Sequence, residues 1–187
     1  ARWTVALSLI AFVGGGLVLD SHLHRGPNGN AGAIASLPLR PAVAGEGAPP
    51  QLISQASLWE LEQRLRAQAL DPMAAYDERA LQAPWAAHTQ AWLALAASAL
   101  AQAIVAGTAF LDLEAVVVDG AASPALVRAL IEQATQALAA YNWEGLMAPP
   151  RLVAGSIGSD ARALGGALLP LHAAFAPEHD LFLKLPD

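Results

Sequence analysis

Cysteine is absent from the 187 residues, which excludes disulfides, iron–sulfur clusters and thiolate zinc sites. Lysine is nearly absent: Lys184 is the only one, and arginine carries the other basic positions, a bias we ascribe to codon usage before function. Charge is scarce as well. Charged residues make up 14% of the chain, the formal net charge is -6 and the sequence pI is about 5.2, so there is no electrostatic footprint for DNA or RNA. If the whole protein binds DNA, another segment does so. Missing too are a Ser–His–Asp set, a Walker loop and a paired carboxylate motif, so no catalytic residue can be named from motifs. The first residue is Ala1, not methionine, from which a fragment or a processed product is expected.

What is present is apolar. Hydrophobic residues account for 55% of the chain, far from a disordered composition and enough for one sizeable domain with a core. Two stretches resemble membrane segments. Val5 to Leu19 is short and broken by Gly14, Gly15 and Gly16. Trp92 to Leu111 is long enough to span a bilayer, but it is mostly alanine and is interrupted by Ser98, Gln102 and Thr108. No basic cluster flanks it, and we expect a buried core helix and no membrane partner. Residues 1–20 lack the frame of a signal peptide.

Trp3–Ile10 and Gly16–Leu23 read as two strands, with the three glycines permitting a tight reversal between them. Asp20 and Ser21 suggest a turn, after which a short strand can run through His22 and Leu23. Residues 25–32, RGPNGNAG, form a polar glycine-rich loop, and residues 41–50, PAVAGEGAPP, an exposed one. Ser57 and Glu60 have capping-box spacing, and the helix after them carries Leu58, Leu61 and Leu65 on one face. Asp71-Pro72 ends that helix or starts the next turn. Pro84 suits the first turn of a long helix, whose Trp85, His88, Trp92, Leu95 and Ala99 form one buried stripe. Ala115–Val118 reads as a strand buried on both faces and ended by Asp119-Gly120. Ser123 caps the next helix, with Pro124 first and Leu126, Leu130, Ala134 and Leu138 inward. Arg151–Gly155 is another strand, and Ser159 or Asp160 caps a last helix whose apolar side holds Leu164, Ala167, Leu168, Leu171 and Phe175. A hairpin, loops, helices and two βα units predict an α/β domain with a mixed sheet.

Several positions allow a functional and a structural reading. Gly14, Gly15 and Gly16 can bring backbone N–H groups to phosphate oxygens, or can make a hairpin turn. Asn30 offers a donor and an acceptor to a polyol, or can form an Asx turn. Asp119 and Gly120 end a strand just before a helix, where ligands gather in open α/β sheets, or simply turn the chain. His22 and His24 would share a strand face, but no third ligand lies at metal-site spacing, and no metal is expected. His88 packs in its helix stripe; His172 and His179 are too isolated to interpret.

The order of the pieces is more telling than any one of them. The glycine hairpin, RGPNGNAG, SLWELE, VVVDG and GSIGSDARALGGALLPL together resemble the ROK family of bacterial sugar kinases and sugar-responsive repressors. The resemblance runs from about Val5 to Lys184 and is nearest the repressor branch, with GNAGAIAS and an ending Phe175 to Lys184 that reads FAPEHDLFLK. It implies an actin-like, ribonuclease H-like ATPase fold of two lobes with ligand in the cleft. This chain would be the C-terminal portion, the second lobe with its returning helix, and any winged helix-turn-helix would lie upstream of Ala1.

Departures from the kinase pattern shape the expected function. Family kinases follow the GNAG stretch with a glutamate and a histidine that bind sugar hydroxyls, the histidine also helping to hold zinc; here those positions are Ala33 and Ser36. The cysteine-rich zinc loop is replaced by LPLRPAVAGEGAPP, and the Gly-Thr-Gly of the phosphate loop by Ile10-Ala11-Phe12. The family's catalytic aspartate belongs to a segment before Ala1. Lost bonds to charged groups are worth about 1.5–3 kcal/mol each, which weakens kinase-type sugar binding. Asn30 and Ser36 can still hold a smaller or less polar ligand. The resemblance therefore implies a sugar-sensing and oligomerisation part of a cytoplasmic transcriptional regulator, a homo-oligomer that reaches DNA only through an upstream domain. The expected ligand-binding positions are Asn30, Ala33 and Ser36. Gly14, Gly15, Gly16, Asp119 and Gly120 are a vestigial nucleotide site, with no cofactor. A divergent ATP-dependent sugar kinase is the alternative.

Overall fold

A computed structural model describes residues 3–175 apart from Ile10, Ser21 and Met147. The ending 176–184 that contributes to the family resemblance lies outside the described residues.

The strands β1 (Trp3–Leu9), β2 (Val13–Leu19), β3 (His22–His24), β4 (Ala115–Gly120) and β5 (Arg151–Ala154) form one sheet in the order β3-β2-β1-β4-β5. β1, β2 and β3 are antiparallel neighbours, whereas β4 runs parallel to both β1 and β5. The expected mixed sheet is thus present. The helices are α1 (Ile53–Ala56), α2 (Leu58–Ala67), α3 (Ala86–Leu111), α4 (Pro124–Leu138) and α5 (Ala161–Phe175).

One core joins the sheet to α1–α4. Val13 and Leu17 of β2 and Val116 and Val118 of β4 meet Leu58, Leu61 and Leu65 of α2, Trp92, Leu93, Leu100 and Ile104 of α3, and Leu126, Leu130 and Leu138 of α4. Strand alternation sends Val117 and Asp119 to the other face, where both are only partly buried. Ser123 caps α4 as the sequence predicts, its Oγ accepting from Leu126 N–H at 3.2 Å with Pro124 in the first turn. Asp71 takes the second of its two expected roles: α2 has already ended at Ala67, and the Asp71 carboxylate caps the short 3-10 turn Pro72–Tyr76.

Five local expectations are corrected. The three glycines do not make the reversal: the chain turns between Leu9 and Val13, and Gly14, Gly15 and Gly16 lie inside β2, paired with Ser8, Leu7 and Ala6. The second strand therefore runs from Val13 to Leu19, not from Gly16 to Leu23, while the short strand expected through His22 and Leu23 is present as His22–His24. Ser57 occupies the N-cap position of α2 without capping it through its side chain. Its hydroxyl instead accepts the buried Val13 N–H at 2.9 Å and donates to Ile53 O at 2.6 Å, tying β2 to α1. Glu60 does not return a bond to Ser57 but pairs with Arg64 at 3.1 Å. Pro84 precedes α3 rather than opening it; Trp85 is the N-cap. Finally, the buried side of α3 matches the expected stripe only in part. Trp92 and Ala99 are buried as expected, together with Thr89, Leu93, Ala96, Ala97, Leu100 and Ile104, while Leu95 is 44% exposed.

Among the described residues α3 is the helix long and apolar enough to cross a membrane. Its central side chains pack in the core, as expected for a buried helix. The loop 41–50 is irregular and largely exposed, pinned near its base by Arg40, which reaches Glu46 at 3.1 Å and Gly47 O at 3.3 Å. Ser159 and Asp160 sit in a 3-10 turn ahead of α5, and Leu164, Leu168, Leu171 and Phe175 of α5 are all exposed.

Candidate functional site

Two places in the fold gather the residues singled out by sequence. The first is the loop 25–36, which crosses β2. It is built on left-handed backbone, with φ of 69° at Gly26, 69° at Gly29 and 82° at Gly32, conformations that favour glycine. Internal bonds hold it: Ala31 N–H to Arg25 O at 3.0 Å, Gly29 N–H to Gly26 O at 3.2 Å and Ala33 N–H to the backbone oxygen of Asn30 at 3.3 Å. Residues Ile34–Ser36 then make one 3-10 turn.

Gly32 packs directly on β2. A Cβ on Gly32 would lie 2.6 Å from Leu17 N and 2.9 Å from Gly16 Cα, so loop and strand approach backbone to backbone. Gly14, Gly15 and Gly16 thus belong to the strand beneath this loop. Asn30, Ala33 and Ser36 are all exposed. Asn30 shares a shallow depression of about 290 Å³ with His24, Gly26 and Pro27. His24, whose spacing from His22 suggests only a metal ligand, stands beside Asn30 in the same depression. Among the described residues no group of three His, Asp or Glu side chains is arranged to hold a metal ion.

The second place is the carboxyl ends of β4 and β5, where a cleft of about 300 Å³ opens beside the start of α4. Asp119 and Gly120 line it with Pro124, Arg128, Gly155 and Ile157. Both oxygens of the Asp119 carboxylate are engaged by backbone. Its Oδ1 accepts from Gly120 N–H at 2.8 Å and Gly158 N–H at 3.0 Å, and its Oδ2 from Ile157 N–H at 3.1 Å. Gly155, whose N–H bonds Val118 O at 2.8 Å, is packed so closely that any Cβ there would overlap the Asp119 side chain. Sequence reading identified Asp119 and Gly120 but not Gly155, Ile157, Gly158 or Arg128. Ile157 and Gly158 reach Asp119 through backbone N–H from 38 and 39 residues downstream, which leaves no local signal.

The structure does not merge the two places. Gly14 and Asp119 both stand opposite Ser8 of β1, so they share a row of the sheet with one strand between them. Two strand spacings put them about 10 Å apart. Gly16, not Asp119, is what the GNAG loop touches.

One family's model matches the chain, over residues 3–173. The chain belongs to the ROK family. No curated protein sequence matches it. Among solved structures, the ROK hexokinase from Thermus thermophilus aligns at 25% identity with a TM-score of 0.65, covering 92% of this chain and 59% of the hexokinase. A ROK glucokinase from Streptomyces griseus, in complex with glucose and AMPPNP, aligns at 19% identity with a TM-score of 0.65, covering 90% of this chain and 60% of that one. A ROK transcriptional regulator, a homologue of E. coli Mlc, aligns at 20% identity with a TM-score of 0.58, covering 82% of this chain and 42% of the regulator. The ROK chain described here therefore spans about three fifths or less of these relatives, and its α/β sheet with helices is part of the actin-like ATPase fold.

Proposed function

We propose that this chain is the effector-binding and oligomerisation part of a ROK-type transcriptional regulator, one that binds a sugar or sugar derivative without phosphorylating it. DNA contact falls to an upstream domain, in keeping with the net charge of -6 here, and the setting is cytoplasmic. The observation that supports this reading best is the loop after GNAG. Where the resemblance to family kinases calls for a glutamate and a histidine, an exposed Ala33 caps, and an exposed Ser36 ends, a single 3-10 turn. Neither can supply the charged hydrogen bonds of a kinase-type hydroxyl contact, nor a zinc ligand. Asn30, Ser36 and the adjacent His24 remain as donors and acceptors, a set suited to holding a polyol more weakly.

The test uses the full-length protein with a panel of hexoses, amino sugars and their derivatives. A ligand that binds the folded state raises the apparent melting temperature. The expected result is a ligand-dependent rise of a few degrees with no consumption of ATP. Steady sugar-dependent ATP turnover would overturn the reading in favour of a divergent kinase. That second reading draws support from the 25% identity to a hexokinase.

A further inference from the structure

The cleft at the carboxyl ends of β4 and β5 has the position and the backbone donors of an anion site. Open α/β sheets receive ligands outside the carboxyl ends of their strands, and convergent backbone N–H groups form concavities for phosphate. Here Gly120, Ile157 and Gly158 point their N–H groups at one spot beside the start of α4, and Arg128 lines the same cleft. The spot is already filled by the two oxygens of Asp119. Gly155 lacks the Cβ that would collide with this carboxylate, so the cleft wall is shaped around it.

We propose that Asp119 is a built-in anion that occupies the amide cradle of the 155–158 turn and closes this cleft to phosphate groups. Two physical arguments support it. The donors a phosphate would need are spent, since Ile157 and Gly158 each have one backbone N–H and both are directed at Asp119. A phosphate brought to the remaining space would face a carboxylate within a few ångströms, and like charges at that range repel. Removing the carboxylate frees the N–H groups of Ile157 and Gly158 and leaves Arg128 as the charge beside them. The inference does not rest on the regulator reading, because it concerns a part of the sheet remote from the GNAG loop.

The experiment titrates the full-length protein and its Asp119→Ala and Asp119→Asn variants with inorganic phosphate and, separately, with ADP, following the backbone amide resonances of Ile157 and Gly158. Phosphate alone tests the cradle; ADP tests whether it accepts the same group on a nucleotide. Asp119→Asn keeps the size of the side chain and one accepting oxygen, so it removes the like-charge repulsion while leaving part of the cradle occupied, and it covers the case in which the alanine variant fails to fold. The expected result is that a folded alanine variant binds phosphate at least about tenfold more tightly than the unsubstituted protein, a difference of about 1.4 kcal/mol, with shifts at both amides, and that the asparagine variant binds more tightly by a smaller factor, with a shift at Ile157. Equal binding by the unsubstituted protein through those amides would overturn the proposal. So would a folded variant whose amides ignore both ligands. Either failure leaves the sugar-dependent thermal shift and the ATP assay unaffected, so the two readings fail separately.

Discussion

The GNAG loop and the β4–β5 cleft both sit on glycines at a sheet surface, yet they use them oppositely. In the loop, glycines let backbone lie on backbone, Gly32 against Gly16, and the side chains of Asn30, Ala33 and Ser36 are left at the surface. In the cleft, Gly155 makes room for a side chain, and that side chain, Asp119, is bound by three backbone N–H groups. One region is arranged to present side chains outward; the other has closed on its own carboxylate. The position of a motif residue at a ligand-prone place is therefore not enough to assign it a ligand. What decides is whether its polar atoms are already engaged by the chain.

The comparison breaks first, and hardest, at Gly32. With φ of 82° and backbone atoms of β2 in the way of any Cβ, Gly32→Ala must both strain its own backbone and lift the loop from the strand. Together these cost about 4 kcal/mol. Chemical denaturation should show that loss, and a value below about 1 kcal/mol would mean that loop and strand are not in backbone contact. Gly155→Ala is expected to cost less, about 2 kcal/mol, because the obstacle is a side chain that can swing aside with loss of charge-assisted bonds. A further split should appear between the two regions at Asn30. Asn30→Ala should leave stability within about 0.5 kcal/mol while weakening sugar binding about tenfold, the worth of one hydrogen bond. A thermal-shift titration that finds the ligand response unchanged would remove Asn30 from the site.

Much of this was legible before the fold was known. The α4 stripe of Leu126, Leu130, Ala134 and Leu138 follows helical spacing and is buried throughout. The β-branched run of β4 reads as a core strand for the same local reason, although Val117 proves only partly buried. One misreading has a cause that no local pattern could reveal, a decisive partner distant in sequence. Ser57 looks like a cap by spacing, yet its hydroxyl serves Val13, 44 residues away. The glycines of β2 look like a turn, yet they pair with Ser8, Leu7 and Ala6 inside the strand, and only Gly16 meets Gly32. Helix α3 offered little to read, because its many alanines are apolar on every side and no face stands out. The Asp119 clamp was the least legible of all, since Ile157 and Gly158 contribute only backbone N–H groups that any residue but proline would carry.

A third carboxylate cluster, away from both regions, gives the smallest effect and a reference for side-chain as opposed to backbone engagement. Arg79 reaches Asp77 at 2.7 Å and Asp71 at 2.8 Å, and its guanidinium lies 5.5 Å from the centre of the Trp85 ring. The Asp71 carboxyl is held below its ordinary value of 3.8 by the Met73 N–H and then by Arg79. That of Asp77 is lowered from 3.8 mainly by Arg79. A carboxyl whose value is depressed in the folded state stabilises that state above its unfolded value, and the contribution is lost as pH falls through the folded one. The contribution is thus complete at neutral pH and fades only below about pH 4. Since both groups are exposed, salt screens the effect. Trp85 reports on it directly: its fluorescence should change with acid below that point, and the change should vanish in Arg79→Gln. A Trp85 signal that stays flat down to pH 2 in the unsubstituted protein would show that the guanidinium does not depend on these two carboxylates for its place over the ring.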